Sequence, residues 1–129
     1  ILAAAVAILT LTTVSAHAGD TVNGANVFNK CKSCHMIGPD AKKRVGPPLN
    51  GVVGRAFAGD AAFNYSPAMR DMAADGKIWD DPTLDAYLKK PKEVVPKGRM
   101  AFPGLPDGGL RADVIAYLKQ FNADGSMAK

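Results

Sequence analysis

Histidine and cysteine are scarce in this chain, with two of each among its 129 residues. That scarcity excludes a self-contained zinc site. A structural zinc ion needs about four N or S ligands, and Cys31, Cys34 and His35 are crowded together with only His17 elsewhere. No stretch keeps a period-two alternation of apolar and polar residues, so almost no sheet is expected. Without strands there is no βαβ setting for a thioredoxin-like redox dithiol. Internal repeats and low-complexity tracts are also missing from residues 19–129, which points to a single domain.

Long apolar runs are limited to the front of the chain. Residues 1–16 read ILAAAVAILTLTTVSA, without a charge, and Ala16-His17-Ala18 follows as the small-x-small pattern of a signal-peptidase site. The segment reads as a secretory signal peptide that lacks its first few residues, because neither Met nor a basic region opens it. The alternative is a retained membrane anchor. Against it, the run is short for a span of about 20 residues, and Thr10, Thr12, Thr13 and Ser15 interrupt its second half. The expected organisation is a signal peptide over 1–18 and one exported domain over 19–129. Cleavage there leaves the net charge at +4 and His35 as the remaining histidine.

The domain carries four helical patterns. The first runs from about Thr21 to His35, with Asp20 as N-cap and Val22, Ala25 and Phe28 on one stripe. The second follows Ser66-Pro67, with Ser66 capping and Pro67 opening the helix. The third follows Asp81-Pro82 in the same manner and places Leu84, Tyr87 and Leu88 on one face. The fourth runs from about Leu110 to Phe121 along Val114, Ile115, Leu118 and Phe121. Segments 36–65 and 91–109 hold most of the Gly and Pro and read as loops. Loops of that length need something central to pack on, and a large apolar cofactor supplies it.

The motif for such a cofactor is Cys31-Lys32-Ser33-Cys34-His35. Residues three apart share a helix face, so the two thiols can each add to a vinyl group on one edge of a haem. The adjoining imidazole can then turn to the iron. This spacing is the c-type haem attachment pattern. The second axial position calls for another soft ligand, and methionine is the remaining choice. Met36 adjoins His35 and cannot reach the other side. Met127 lies near a chain end, where fraying is common. Met69 and Met72 fall in the second helical pattern and suit a core. Met100 sits in Val95-Pro96-Lys97-Gly98-Arg99-Met100-Ala101-Phe102-Pro103, a loop stiffened by prolines, and is the expected ligand.

Across residues 19–129 the chain resembles the class I c-type cytochromes, in the cytochrome c2 and mitochondrial-type branch. Gly24 and Phe28, the Cys31–His35 motif, Gly46-Pro47, Leu49, Gly51 and Gly54-Arg55 carry the resemblance, followed by Tyr65, Trp79, Tyr87, Pro96, Met100, Phe102 and Tyr117. Between Tyr65 and Trp79 this chain has a few extra residues. The resemblance implies the small all-α cytochrome c fold, about four helices and long loops wrapped around one covalent haem c. It implies that the Pro47 carbonyl receives the Nδ1 hydrogen of His35, and that the Tyr87 hydroxyl points at the Met100 sulfur. By the same resemblance Arg55, Tyr65 and Trp79 would donate to a buried haem propionate, though Trp79 also suits plain core packing, and Phe102 would join the cofactor surroundings. Gly24 and Phe28 pack where the first and last helices cross, near Tyr117. Two departures stand out. Gly98 replaces a threonine of the mitochondrial members, and Ser66-Pro67-Ala68-Met69 replaces a stretch that carries an interior asparagine.

A haem iron held by His35 and Met100 has no open position, so the expected role is outer-sphere transfer of single electrons and not enzymatic catalysis. Ten of the sixteen basic residues fall in two segments, Lys30, Lys32, Lys42, Lys43 and Arg44, then Lys89, Lys90, Lys92, Lys97 and Arg99, opposed there only by Asp40 and Glu93. These segments flank the two ligands and are expected to form a basic docking face for acidic redox partners. Candidate partners are a quinol-oxidising complex or periplasmic dehydrogenase as donor and a terminal oxidase or photosynthetic reaction centre as acceptor. Nucleic acid is not expected. The leading expectation is a soluble, monomeric periplasmic shuttle in a respiratory chain. The alternatives are a membrane-tethered cytochrome or respiratory-complex subunit that keeps residues 1–18, and a haem enzyme or gas sensor with a displaceable Met100.

Overall fold

The computed structural model describes residues 19–128. The signal-peptide and anchor expectations for residues 1–18 fall outside the described residues. Five helices follow one another: α1 (Thr21–Phe28), α2 (Pro67–Ala74), α3 (Asp81–Lys89), α4 (Pro91–Val94) and α5 (Gly108–Lys119). Among the described residues the only β pairing is two isolated bridges, Ala56 with Ile78 and Phe121 with Met127. The all-α expectation holds. No described helix is long and apolar enough to cross a membrane.

Each helix starts where its sequence supplies a cap. Asp20 accepts from the Val22 and Asn23 amides, and Ser66 from Met69 with Pro67 as the first helical residue. For α3 the cap is Asp80, which accepts from Thr83 at 2.9 Å, one residue earlier than the expected Asp81. Pro82 is thereby shifted into the second helical position, where its missing N–H is still harmless. Asp107 caps α5 at Gly109, so this helix also begins before the expected Leu110. The expected loop from 91 onward opens with the single turn α4, a helix that apolar periodicity cannot reveal in four residues.

The largest difference is in the first helix. It ends at Phe28 and not at His35. The chain then tightens into successive turns in which Asn29 bonds back to Asn26, Lys30 to Val27, Cys31 to Phe28 and Cys34 to Cys31. Asparagine competes with the helix for local hydrogen bonds, which favours such an exit. The C-terminal tail is ordered as well. Asn122 and Ser126 pair, Ala128 bonds back to Gln120, and Gly125 packs so closely on Gly38 that a Cβ would lie 2.1 Å from its carbonyl oxygen. The tail of Met127 is therefore a hook folded against the loop after His35, because Gly125 (φ +83°) allows the backbone to reverse there.

The core lies where α1 crosses α5 and where α3 packs beside α5. Val27, Phe28, Val114, Ile115 and Leu118 are buried there, with the Phe28 and Tyr117 rings 5.4 Å apart. The crossing is close because Gly24 presents no side chain. A Cβ at this position would lie 2.1 Å from the Asp113 carbonyl oxygen and 2.7 Å from the Tyr117 Cβ. Asp113 closes the same crossing from α5, accepting from the Asp20 amide at 2.8 Å and from the Asn23 side chain at 2.6 Å. Gly24→Ala is expected to lower the unfolding free energy by about 3 kcal/mol through backbone displacement. Val22→Ala, on the exposed side of α1, should stay within about 0.5 kcal/mol of the parent. Denaturant titration of the helical circular dichroism measures both.

Candidate functional site

The turns after α1 bring Cys31, Cys34 and His35 together. Cys31 accepts from both the Cys34 amide at 3.1 Å and the His35 amide at 2.9 Å. In a tight i to i+3 turn, side chains three apart nearly eclipse, so the two thiols share a side more closely than on a regular helix. They are free and half-buried. Burial, and then the neighbouring Cys34, push the Cys31 thiol up. A redox dithiol needs the opposite, a lowered attacking thiol. Among the described residues no group of three or more His, Cys, Asp or Glu side chains could hold a metal ion. The neighbouring, half-buried thiols fit a paired attachment.

His35 is fixed on two sides. Its Nδ1 donates to the Pro47 carbonyl at 2.7 Å, as expected, leaving Nε2 as the nitrogen available to a metal. Gly46 lies against the ring, so close that a Cβ would sit 2.3 Å from Cε1 and 2.9 Å from Nε2. Gly46 is held there by its amide bond to the Cys34 carbonyl at 2.9 Å. Burial lowers the imidazole below its usual value, opposed by the Pro47 bond and reinforced by Arg55. The neutral imidazole is the ligand form.

Met100 is half-buried against the core. The Tyr87 hydroxyl donates to its sulfur at 3.7 Å, as the resemblance implied. Burial pushes the Tyr87 hydroxyl up to about 12, so it remains a donor across the neutral range. Upstream, Gly98 bonds to Val95 across Pro96 and Lys97, and Lys97 is left-handed at φ +65°. That is a type II turn, with proline at its favoured position and lysine where glycine is usual. At Gly98 a Cβ would approach the Val95 carbonyl oxygen to 3.1 Å, and Lys92 donates to the Gly98 carbonyl. Phe102 is half-buried, beside a surface hollow lined also by Lys90, Pro91, Lys92, Glu93 and Pro103.

Arg55 and Trp79 are held by a backbone pairing. Gly54 donates to Trp79 at 2.7 Å, and Trp79 donates back to Arg55 at 2.8 Å. The Arg55 guanidinium reaches the Pro48 and Asn50 carbonyls through Nη1 at 3.3 and 3.1 Å. Its Nε is buried without a partner in the protein. An orphan donor of this kind costs about 1–3 kcal/mol, and a haem propionate is a suitable acceptor for it. Tyr65 accepts from the Asp60 amide at 3.1 Å and keeps its own proton to donate. Burial raises its hydroxyl, while the Asp60 amide and Arg55 lower it. Trp79 is buried and stacked on Phe57 with centroids 3.7 Å apart, so the packing role is present. Met69 packs at the edge of the core, and Ser66 caps α2.

All ten residues of the expected basic face are exposed. Sequence reasoning passed over Asn50, which bonds the Gly38 amide and carbonyl at 2.8 and 2.9 Å and receives Arg55 on its own carbonyl. It also passed over the buried Arg111. Only the latter left a signal, as a charge on the apolar stripe of Val114, Ile115 and Leu118.

No protein-family model matches the chain. It is 52% identical over 101 residues to a cytochrome c2 of Rhodomicrobium vannielii, covering 78% of this chain and 78% of that protein. It is 47% identical over 103 residues to cytochrome c-550 of Ancylobacter novellus, covering 80% of this chain and 96% of the other. Among solved structures, cytochrome c2 from Rhodospirillum Centenum superposes with a TM-score of 0.76 at 39% identity, over 81% of this chain and 99% of that one.

The contact between Gly46 and the imidazole can be tested directly. Gly46→Ala is expected to displace the His35 ring, weakening its Pro47 bond. The denaturation midpoint should fall by the equivalent of about 1–3 kcal/mol. The oxidised visible spectrum of the haem-loaded protein should show weakened axial ligation at the same time.

Proposed function

This chain belongs to the class I c-type cytochromes, and from that premise we propose that it shuttles single electrons through a haem c iron held between His35 and Met100. Membership of the family makes it an electron carrier with one covalent haem, not an enzyme. The observation that carries the ligand assignment is the Tyr87 hydroxyl bonded to the Met100 sulfur. A thioether buried at random has no reason to face a donor in a proline-stiffened loop.

When bound, the haem supplies a one-electron iron couple, and His/Met ligation places its potential high, as is general for cytochromes c. The residues of the chain do the rest. Cys31 and Cys34 attach the group, and Pro47 orients the His35 imidazole and increases its basicity. Tyr87 orients Met100. Arg55 offers its free Nε to a propionate, with Tyr65 and Trp79 as further donors, while Phe102 helps keep water out. With His35 and Met100 both holding the iron, no position on it would remain for a substrate.

The proposed setting is the periplasm, reached by way of the segment 1–18 as a cleaved signal peptide, and the proposed form is a soluble monomer. The exposed residues Lys30, Lys32, Lys42, Lys43, Arg44, Lys89, Lys90, Lys92, Lys97 and Arg99 make up the proposed docking face for acidic redox partners. Its donor is a quinol-oxidising complex or periplasmic dehydrogenase, and its acceptor a terminal oxidase or photosynthetic reaction centre. Exposed charges of this kind act mainly on encounter rate and weaken with salt.

Met100→Ala is expected to abolish the sulfur-to-iron charge-transfer band of the oxidised protein and to let carbon monoxide bind rapidly after reduction. A variant that kept the parent spectrum would show that Met100 is not the ligand. For the docking face, the double variant Lys32→Glu/Lys97→Glu should slow second-order electron transfer to an acidic partner by about tenfold at low ionic strength. Stopped-flow rates for variant and parent should converge at high salt.

A further inference from the structure

Arg111 is a buried cation with no part in the ligand set. It sits in α5 and is 8% exposed. A guanidinium in such a place is costly unless its donors are met. Its Nε donates to Asp85 at 2.7 Å, and its Nη1 donates to the carbonyls of Leu105 at 2.8 Å and Pro106 at 2.9 Å. These partners come from two places. Asp85 lies on α3, and Leu105 and Pro106 end the segment that carries Met100.

The same stretch is drawn onto α3 by its backbone. The Leu105 amide donates to Leu88 at 2.8 Å, and a Cβ on Gly104 would lie 2.1 Å from the Lys89 carbonyl oxygen. At the upstream end the loop is anchored by buried Val95, which bonds to Pro91 at 2.9 Å. Between these anchors Arg99 reaches the Asn64 carbonyl at 3.3 Å and Lys92 reaches Gly98, both from exposed side chains. Water competes with exposed bonds of that kind. The buried charge at Arg111 is therefore the firm downstream anchor of the loop.

We propose that Arg111 is the positioning residue for Met100. It ties the end of the ligand loop to α3, the helix whose Tyr87 hydroxyl meets the Met100 sulfur. The spacing between Asp85 and the two carbonyls then sets where that sulfur lies. The inference rests on Met100 as the iron ligand. Lysine cannot replace Arg111, because one ammonium lacks the planar fork that serves a carboxylate and two carbonyls in fixed directions.

The test uses the haem-loaded protein and added imidazole, which binds iron only when the Met100 loop is open. Its apparent affinity scales with the open fraction. In Arg111→Lys the oxidised protein should bind imidazole about tenfold more tightly than the parent, with the helical circular dichroism intact. Asp85→Asn should move the affinity in the same direction by less, and it carries the test if Arg111→Lys fails to fold. Lys119→Ala removes an ion pair to Asp81 that also joins α5 to α3 but touches no loop residue, and it should leave the affinity unchanged. Unchanged affinity in Asp85→Asn and in any folded Arg111→Lys would overturn the proposal, and so would an equal rise in Lys119→Ala. Retention of the charge-transfer band in Met100→Ala, run in parallel, marks failure of the ligand assignment instead.

Discussion

A thioether is a weak ligand, so in the proposed reading the position of Met100 has to be set by the chain and not by the bond it makes. Much of the α3 side of the molecule follows from that constraint. The ligand loop leaves α4 at buried Val95 and returns to α3 at Leu105. Pro96 and left-handed Lys97 make the turn between them. Tyr87 waits beneath with its hydroxyl on the sulfur. The short α4 serves the same end, since its single turn delivers the chain to Val95 at a fixed angle.

The histidine side works differently. Imidazole is a stronger ligand, and the structure invests in its orientation. Gly46 lies on the ring, Pro47 receives its Nδ1 hydrogen, and the loop behind is pinned by Asn50 to Gly38. The C-terminal hook closes over the same loop through Gly125. The crossing of α1 and α5 at Gly24 sets where the attachment turns begin, so the two thiols and the imidazole inherit their placement from a tightly packed part of the fold.

What could be read from the residues alone divides along physical lines. The attachment motif is local and fully specified by spacing, so Cys31, Cys34 and His35 were legible, and the caps of α1 and α2 were legible for the same reason. Met100 was singled out as the candidate ligand by its prolines and by elimination of the other methionines, and the Tyr87 bond to its sulfur is the structural support for that proposal. The roles of Pro47 and Tyr87 came only with the family resemblance, and the bonds at 2.7 and 3.7 Å agree with it. The extent of α1 was misread because apolar periodicity continues past Phe28, while Asn29 and the following turns break the helix for local hydrogen-bonding reasons. The C-terminal hook and α4 depend on tertiary contacts and leave almost no periodic trace. Arg111 could have been suspected, since a charge on an apolar stripe must be met inside, but nothing in the sequence says by what.

In the proposed reading His35 and Met100 both hold the iron, which suits the protein to carrying single electrons. The most direct test is a spectroscopic redox titration of the purified, haem-loaded protein. One reversible transition with a slope of about 59 mV per decade is expected. A sulfur-to-iron charge-transfer band should be present throughout the oxidised limb, with no carbon monoxide adduct on the reduced side. A spectrum without that band, joined to rapid carbon monoxide binding by the reduced protein, would contradict this reading.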